Sequence, residues 1–310
     1  MRIFKKGFLL SLVVMISAWL TACSGGETAE QGAPSDSETR VYHSEKGDVK
    51  VPAQPKRVAV FATAYVGNLL KLGITPIAVD QWATGSQFFG NKLDGAEVVS
   101  TDNLEKLVAL NPDLIIVYSY DQKVVDKLSQ IAPTVAFTYE KYDYLQQHIE
   151  IGKLVGKEQE AREWVEQWQE KAKVEREKVQ KALGSDATVT VLEQFGKDLY
   201  VYGKNWGRGT EVIYQALGLK APKKLEEDVF GQGWKAISAE MIPQYAGDYI
   251  FVGKSADTNN AFMETNVWKN LPAVKNNRVI EFDSKSFYFN DPISLEKELE
   301  IIVKELTSRK

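Results

Sequence analysis

The run EQEAREWVEQWQEKAKVEREKVQKAL, residues 158–183, contains neither glycine nor proline, and Gly156 and Gly184 bracket it. Trp164, Val165, Trp168 and Ala172 recur within it at helical spacing, so the pattern predicts one unbroken helix. At about 1.5 Å per residue it would be roughly 40 Å long, beyond the usual three or four turns of a globular helix. Such a helix has two uses. It can lie on the surface, laced with charge pairs, or it can be a spine between two lobes with its aromatic stripe packed on both.

The sequence on either side bears on that choice. Before the run, short apolar stretches RVAVFA (57–62), ITPIAVD (74–80), DLIIVY (113–118) and TVAF (134–137) alternate with the helical patterns YVGNLLKLG, NLEKLVALN and KVVDKLSQIA. That alternation predicts an α/β lobe with a mostly parallel sheet. After the run it resumes with TVTVLEQ, LYVYG, the helical TEVIYQALG, DYIFVG and RVIEFD, and ends in the amphipathic SLEKELEIIVKELTSRK. A faint repeat relates the halves: LEKLVALNPDLIIV matches AEMIPQYAGDYIFV, with Glu105 and Glu240 each eight residues before an aspartate, Asp113 or Asp248, that leads into a strand. The expected organisation is an α/β lobe over 41–155, a connecting helix over 156–184 and a second α/β lobe over 185–310, with a ligand cleft between the lobes.

The N-terminus sets the compartment. Arg2, Lys5 and Lys6 precede an apolar run, Gly7 to Leu20, that is short for a membrane span, and Leu20-Thr21-Ala22 leads directly into Cys23, the only cysteine. This resembles a bacterial lipoprotein signal, with residues 1–22 removed and Cys23 lipidated. Residues 23–40 are then the lipidated cysteine and a flexible tether, rich in Gly, Ser and Glu. Cleavage would remove three positive charges, taking the formal net charge from −4 to −7. An acidic, thiol-free chain suits an oxidising exterior and argues against nucleic acid as a partner.

The catalytic vocabulary is thin. There are two histidines, His43 and His148, with no motif around either, so both are expected at the surface or in the core. No HExxH, CxxC or P-loop occurs, and the carboxylates are too scattered to nominate an acid–base pair. Aromatic residues carry the positive signal. Tyr200 and Tyr202 alternate on one strand face, and Trp206 and Arg208 follow in a glycine-punctuated turn, with Lys197 and Lys204 nearby. Turns after other strands hold Trp82 (QWATGSQFFG), Tyr139 (TYEKYDY), Trp234 (FGQGW) and Tyr288 (SFYFNDP). So many aromatics after strand ends point to a ligand surface.

Taken in order, LTAC, VPAQPKRVAV, NLEKLVALNPDLIIV, YGKNWGRGTEVIYQALGLKAP, YAGDYIFV, VWKNLPAVKNNRV and FYFNDPISLEKELE span nearly the whole chain. In that order they resemble the iron-siderophore substrate-binding lipoproteins of ABC importers from Gram-positive bacteria, most closely the ferric-hydroxamate binders. The resemblance implies two α/β lobes bridged by one helix, the siderophore-type periplasmic-binding-protein fold. It implies a monomer, tethered by lipid to the outer face of the cell membrane, with no catalytic activity and no cofactor or metal site of its own. Its ligand is a ferric siderophore, whose own oxygens fill the iron's coordination sphere. Arg208 and Trp206 carry over as ligand contacts, with Tyr200, Tyr139 and Tyr288; Trp82 and Trp234 are further candidates. Two positions depart from the family pattern: Tyr288 stands where tryptophan is common, and Thr210 where a second glycine is common. Glu105 and Glu240 match the acidic pair thought to engage arginines of the ABC permease. One arginine among rings suits a neutral or singly charged hydroxamate complex better than a strongly anionic tri-catecholate one. A catecholate or carboxylate siderophore, haem held by one of the many tyrosines, or cobalamin remain alternatives on this architecture, and a lipid-tethered extracytoplasmic enzyme is the alternative outside it.

Overall fold

The computed structural model describes residues 38–309 apart from Ser119, Tyr120, Glu140 and Asp257. The expected signal peptide, Cys23 and nearly all of the tether lie outside the described residues. An antiparallel hairpin, β1 (Thr39–Ser44) and β2 (Gly47–Pro52), leads into the first lobe. There β3 (Val58–Val60), β4 (Ala78–Val79), β5 (Glu97–Val98), β6 (Leu114–Tyr118) and β7 (Thr134–Phe137) form a parallel sheet in the order β5-β4-β3-β6-β7. Buried Leu114, Ile115, Ile116 and Val117 run without a polar break, as expected of a strand covered on both faces. The crossovers carry α1 (Val66–Lys71), α2 (Leu104–Ala109) and α3 (Gln122–Ser129), and α4 (Tyr144–Val155) follows the last strand. Asn103, Asp121 and Asp143 cap α2, α3 and α4 by accepting backbone N–H bonds in the first turn.

The glycine-free run is a single helix, α5 (Glu158–Leu183). Gly156 ends α4 with φ 75° and turns the chain into α5; a Cβ there would run into the carbonyl of Ala53. Of its two possible uses, α5 takes the second. Ala161 belongs to the core of the first lobe, whereas Trp164, Trp168, Ala172 and Val179 belong to the core of the second.

The second lobe holds β8 (Val189–Phe195), β9 (Asp198–Tyr202), β10 (Trp234–Ile237), β11 (Tyr249–Lys254) and β12 (Val279–Asp283) in the order β10-β9-β8-β11-β12. Only β8, β11 and β12 are parallel; β10-β9 and β9-β8 are antiparallel, so this sheet is mixed. α6 (Lys223–Val229), the short α7 (Ile242–Tyr245), α8 (Asn266–Lys269) and α9 (Pro272–Lys275), and the terminal α10 (Pro292–Ser308) complete it. The segment TEVIYQALG, expected to be an ordinary helix, is a π-helix over Glu211–Ala216. Glu296 of α10 ties the lobes to the spine: its Oε1 accepts from Trp164 Nε1 at 2.6 Å and from Lys71 Nζ of α1 at 2.7 Å.

The internal repeat has a structural counterpart. Asp113 accepts the backbone N–H of Lys56 and Arg57 at 2.7 and 2.9 Å, just ahead of β3. Asp248 accepts the N–H of Thr188 at 2.8 Å, just ahead of β8. In each lobe an aspartate entering one strand fixes the start of the neighbouring strand.

Candidate functional site

Loops that follow the C-terminal ends of strands in both lobes enclose a cavity of about 560 Å³. Ligand sites of open α/β sheets lie at such ends. The first lobe supplies Tyr118 at the end of β6, Tyr139 after β7, and Asp143 and Gln147 at the start of α4. The second supplies Trp206 after β9, Gln215 of the π-helix, and Tyr288 and Asn290 after β12. The two sides touch through their rings. Tyr139 meets Trp206 edge-on at 5.6 Å and 79°. Trp82 reaches across to stack on Tyr288 at 5.6 Å and 25°, and on Phe195 at 6.4 Å and 28°.

Trp206 and Arg208 owe their positions to the turn between β9 and the π-helix. Gly207 has φ 68°, and a Cβ there would collide with the carbonyl of Tyr288. Its N–H donates to both carboxylate oxygens of Glu211 at 3.1 Å. Asn290 Nδ2 donates to Glu211 at 2.9 Å, joining this turn to the one that carries Tyr288. Burial pushes the Glu211 carboxyl above its ordinary range, against the pull of those donors. Thr210, the departure from a glycine pattern, has a task here: its Oγ1 accepts the N–H of Trp206 at 3.1 Å.

Arg208 lies deeper than its place in an exposed-looking turn predicts, with 7% of its surface exposed and φ 58°. Its backbone N–H donates to Phe287 O at 2.5 Å. Its Nε donates to Glu193 Oε2 at 2.8 Å, and Nη1 to Trp206 O at 3.1 Å. The guanidinium sits 4.6 Å from the Tyr202 ring centre and 4.5 Å from that of Tyr288. Burial disfavours its charge, but Tyr202, Glu193 and Tyr288 together outweigh burial and hold its pKa above the ordinary value. Glu193 also accepts from Tyr202 Oη at 2.8 Å. The charge expected to stand alone among rings is therefore answered inside the protein. Two of its five N–H donors are engaged by described residues, and Arg208 itself is off the cavity wall, covered by Tyr288.

Tyr200 and Trp234 lie beside this centre but off the cavity wall. Trp234 meets Tyr200 at 5.5 Å and 68° and Trp206 at 6.4 Å and 53°, so the two extend the aromatic ladder away from the cavity. Lys204 is on the wall and Lys197 is not. Exposed Glu105, in the first turn of α2, and exposed Glu240, in a short turn before α7, are also off the wall. His43 is exposed, with Nδ1 2.7 Å from Asp48. His148 is fully buried on α4, with Nδ1 3.0 Å from Asn68 Oδ1. Burial, with Lys71 nearby, pushes its pKa down to about 4. No cluster of His, Cys, Asp or Glu able to hold a metal ion occurs among the described residues. Reasoning from the sequence missed Glu193, Phe195, Gln215 and Asn290. Glu193 carried a signal, since it is a lone carboxylate in a strand otherwise patterned for burial, and a buried charge needs a partner.

The two lobes, the connecting helix and the aromatic cavity between them define a bilobal ligand-binding protein. The chain belongs to the periplasmic binding protein family, whose model matches residues 58–286. It is 41% identical to the iron(3+)-hydroxamate-binding protein FhuD of Bacillus subtilis over 99% of both chains. It is 37% identical to the iron(3+)-hydroxamate-binding protein YxeB of the same organism over 98% of both. The solved structure of FhuD2 from Staphylococcus aureus with bound ferrioxamine B is similar at a TM-score of 0.79 and 38% identity, covering 82% of this chain and 99% of that one.

Proposed function

We propose that this chain captures a ferric hydroxamate outside the cytoplasm and hands it to an ABC permease. The observation that carries this is the Arg208–Glu193 pair. Three singly charged hydroxamates neutralise one ferric ion, so their complex has polarised oxygens but no net charge. The pair matches that chemistry: it offers guanidinium donors with no net charge of its own, beneath rings that cover the organic arms. A tri-catecholate complex is strongly anionic and would call for uncompensated cations. The hydroxamate ligands named for the relatives above support the same choice.

Trp206, Tyr139, Tyr288 and Trp82 face the ligand in this account, Arg208 donates to its oxygens from beneath Tyr288, and Tyr200 and Trp234 brace Trp206. Cys23 carries the lipid that holds a monomer at the outer face of the membrane. Glu105 and Glu240, exposed and equivalent in the repeat, are the permease contacts. The test is a titration of Arg208→Ala with a ferric trihydroxamate, followed by tryptophan quenching. Binding weakens by about 1.5–3 kcal/mol, the worth of hydrogen bonds to a charged group. Wild-type affinity in a folded variant contradicts the role of Arg208.

A further inference from the structure

A second cavity, of about 470 Å³, adjoins the first, and both are lined by Trp82, Tyr288 and Phe289. Each volume falls in the range of about 300–1,000 Å³ typical of small-molecule sites. Trp82 and Tyr288, stacked on each other and drawn from different lobes, stand in both walls; Phe195, stacked on the other side of Trp82, lines the second alone. The members of the stack are held unequally. Tyr288 lies over the Arg208 guanidinium. Trp82 sits on a short 3-10 turn, Gln81–Gly85, with 56% of its surface exposed, and its indole N–H has no hydrogen-bond partner among the described residues. Stacking is therefore its main hold.

The chambers overlap in chemistry and differ in balance. The first presents phenols, the amides of Gln147, Asn205, Gln215 and Asn290, and the charged groups of Lys204, Asp143 and Glu211. Apart from Lys285 and the paired Glu193, the polar side of the second is neutral: Gln81 and Thr84, bonded to each other, Gln194, bonded to the carbonyl of Gly196, Thr258, bonded to the carbonyl of Ser255, and Ser284. Ser284 is 5% exposed, and its Oγ has no hydrogen-bond partner among the described residues. A buried hydroxyl without a partner is costly unless something pairs with it. Amide and hydroxyl groups opposite aromatic faces suit a chain of alternating amide and methylene units.

We infer that Trp82 is a movable partition, and that the chamber behind it takes the iron-free, uncharged appendage of a ferric hydroxamate once the indole leaves Tyr288. This rests on the function proposed above, with the iron core in the first chamber. Trp82 then sets specificity: a compact complex leaves the stack closed, and a tailed complex must open it.

The experiment compares two ferric trihydroxamates built from the same repeating unit. One is ferrioxamine B with its terminal amine acetylated, which carries a neutral tail; the other is its macrocyclic counterpart without a tail. Removing the stack in Trp82→Ala raises affinity for the tailed complex relative to the macrocycle by roughly three- to tenfold, the equivalent of one or two aromatic contacts. Gln194→Trp, which fills the second chamber from β8, lowers affinity for the tailed complex about tenfold or more and leaves the macrocycle within about twofold. If both complexes shift together in both variants, the second chamber holds no appendage and the inference falls while the proposed function stands. If the wild-type protein binds neither complex, the proposed function falls and the inference with it.

Discussion

Glu193→Gln probes the buried pair with the least change of shape. The carboxylate is buried on β8 and accepts two bonds through one oxygen, from Arg208 Nε and Tyr202 Oη, each at 2.8 Å. The amide keeps the volume and one acceptor, but it removes the countercharge of a guanidinium that is itself 7% exposed. Breaking a buried pair by deleting one partner costs about 3–5 kcal/mol. The retained acceptor, and the two rings on which the guanidinium lies, place this variant at the low end, about 3 kcal/mol. For a folded part of this size that lowers Tm by roughly 6–12 °C. The assay is thermal unfolding by circular dichroism, repeated with Arg208→Met and with the double variant. Once both charges are gone neither is stranded, so the double variant is less destabilised than the sum of the singles. Charge changes at the site as well: the site becomes net positive, so Glu193→Gln gains affinity for an anionic ferric tri-catecholate while affinity for a neutral trihydroxamate stays nearly constant. A Tm within about 2 °C of wild type, a loss that small being under 1 kcal/mol, would refute the claim that Glu193 answers Arg208.

The pH dependence of stability has two opposed sources. Burial pushes the Asp291 carboxyl, the cap of α10, up to about 6, and burial with the charges of Glu211 and Asp291 pushes Glu298 well above its ordinary range. These carboxyls contribute stability that is complete below their unfolded pKa values and is lost as pH rises through the folded ones. His148, depressed to about 4, contributes stability that is present above 6.5 and lost as pH falls. His148→Gln therefore removes a penalty of about 2 kcal/mol at pH 5, and its Tm rises more steeply from pH 7 to pH 5 than that of wild type; parallel profiles contradict the assignment. For docking, the Glu105→Ala, Glu240→Ala double variant keeps its siderophore affinity, because exposed charges steer association rather than stabilise the fold. It loses uptake in cells carrying the matching permease, and uptake at the wild-type rate with normal surface expression removes the docking role.

The sequence made some of this legible and hid the rest for identifiable reasons. The helix α5 could be read to the residue, because nothing in 158–183 interrupts it and glycines stand at both sides. Which of its two uses it serves could not, because that depends on which cores receive Ala161 and the two tryptophans. The π-helix was hidden because apolar spacing does not report the size of the hydrogen-bonded ring. Tertiary contacts hold it: Arg176 of α5 donates to the carbonyls of Gln215 and Ala216, and Glu211 is tied to Gly207. Strand β10 was missed because it is a four-residue edge strand with only Ile237 buried. At the site, Trp206 and Arg208 could be read together because one turn carries both. Glu193 could not, because it reaches Arg208 only through the β8–β9 register, which sets it opposite Tyr200 and beside Tyr202.

A guanidinium neutralised from within, set among rings drawn from both lobes, is expected to select an uncharged ferric complex. Tryptophan quenching of the wild-type protein by a panel tests it most directly: a ferric trihydroxamate, a ferric tri-catecholate, a ferric carboxylate siderophore, haem, cobalamin and uncomplexed ferric ion. The expected result is saturable quenching by the trihydroxamate, binding at least about tenfold weaker, or 1.4 kcal/mol, for every other complex, and no stoichiometric site for bare iron. Tighter binding of the tri-catecholate, haem or cobalamin, or a tight site for the uncomplexed ion, contradicts it.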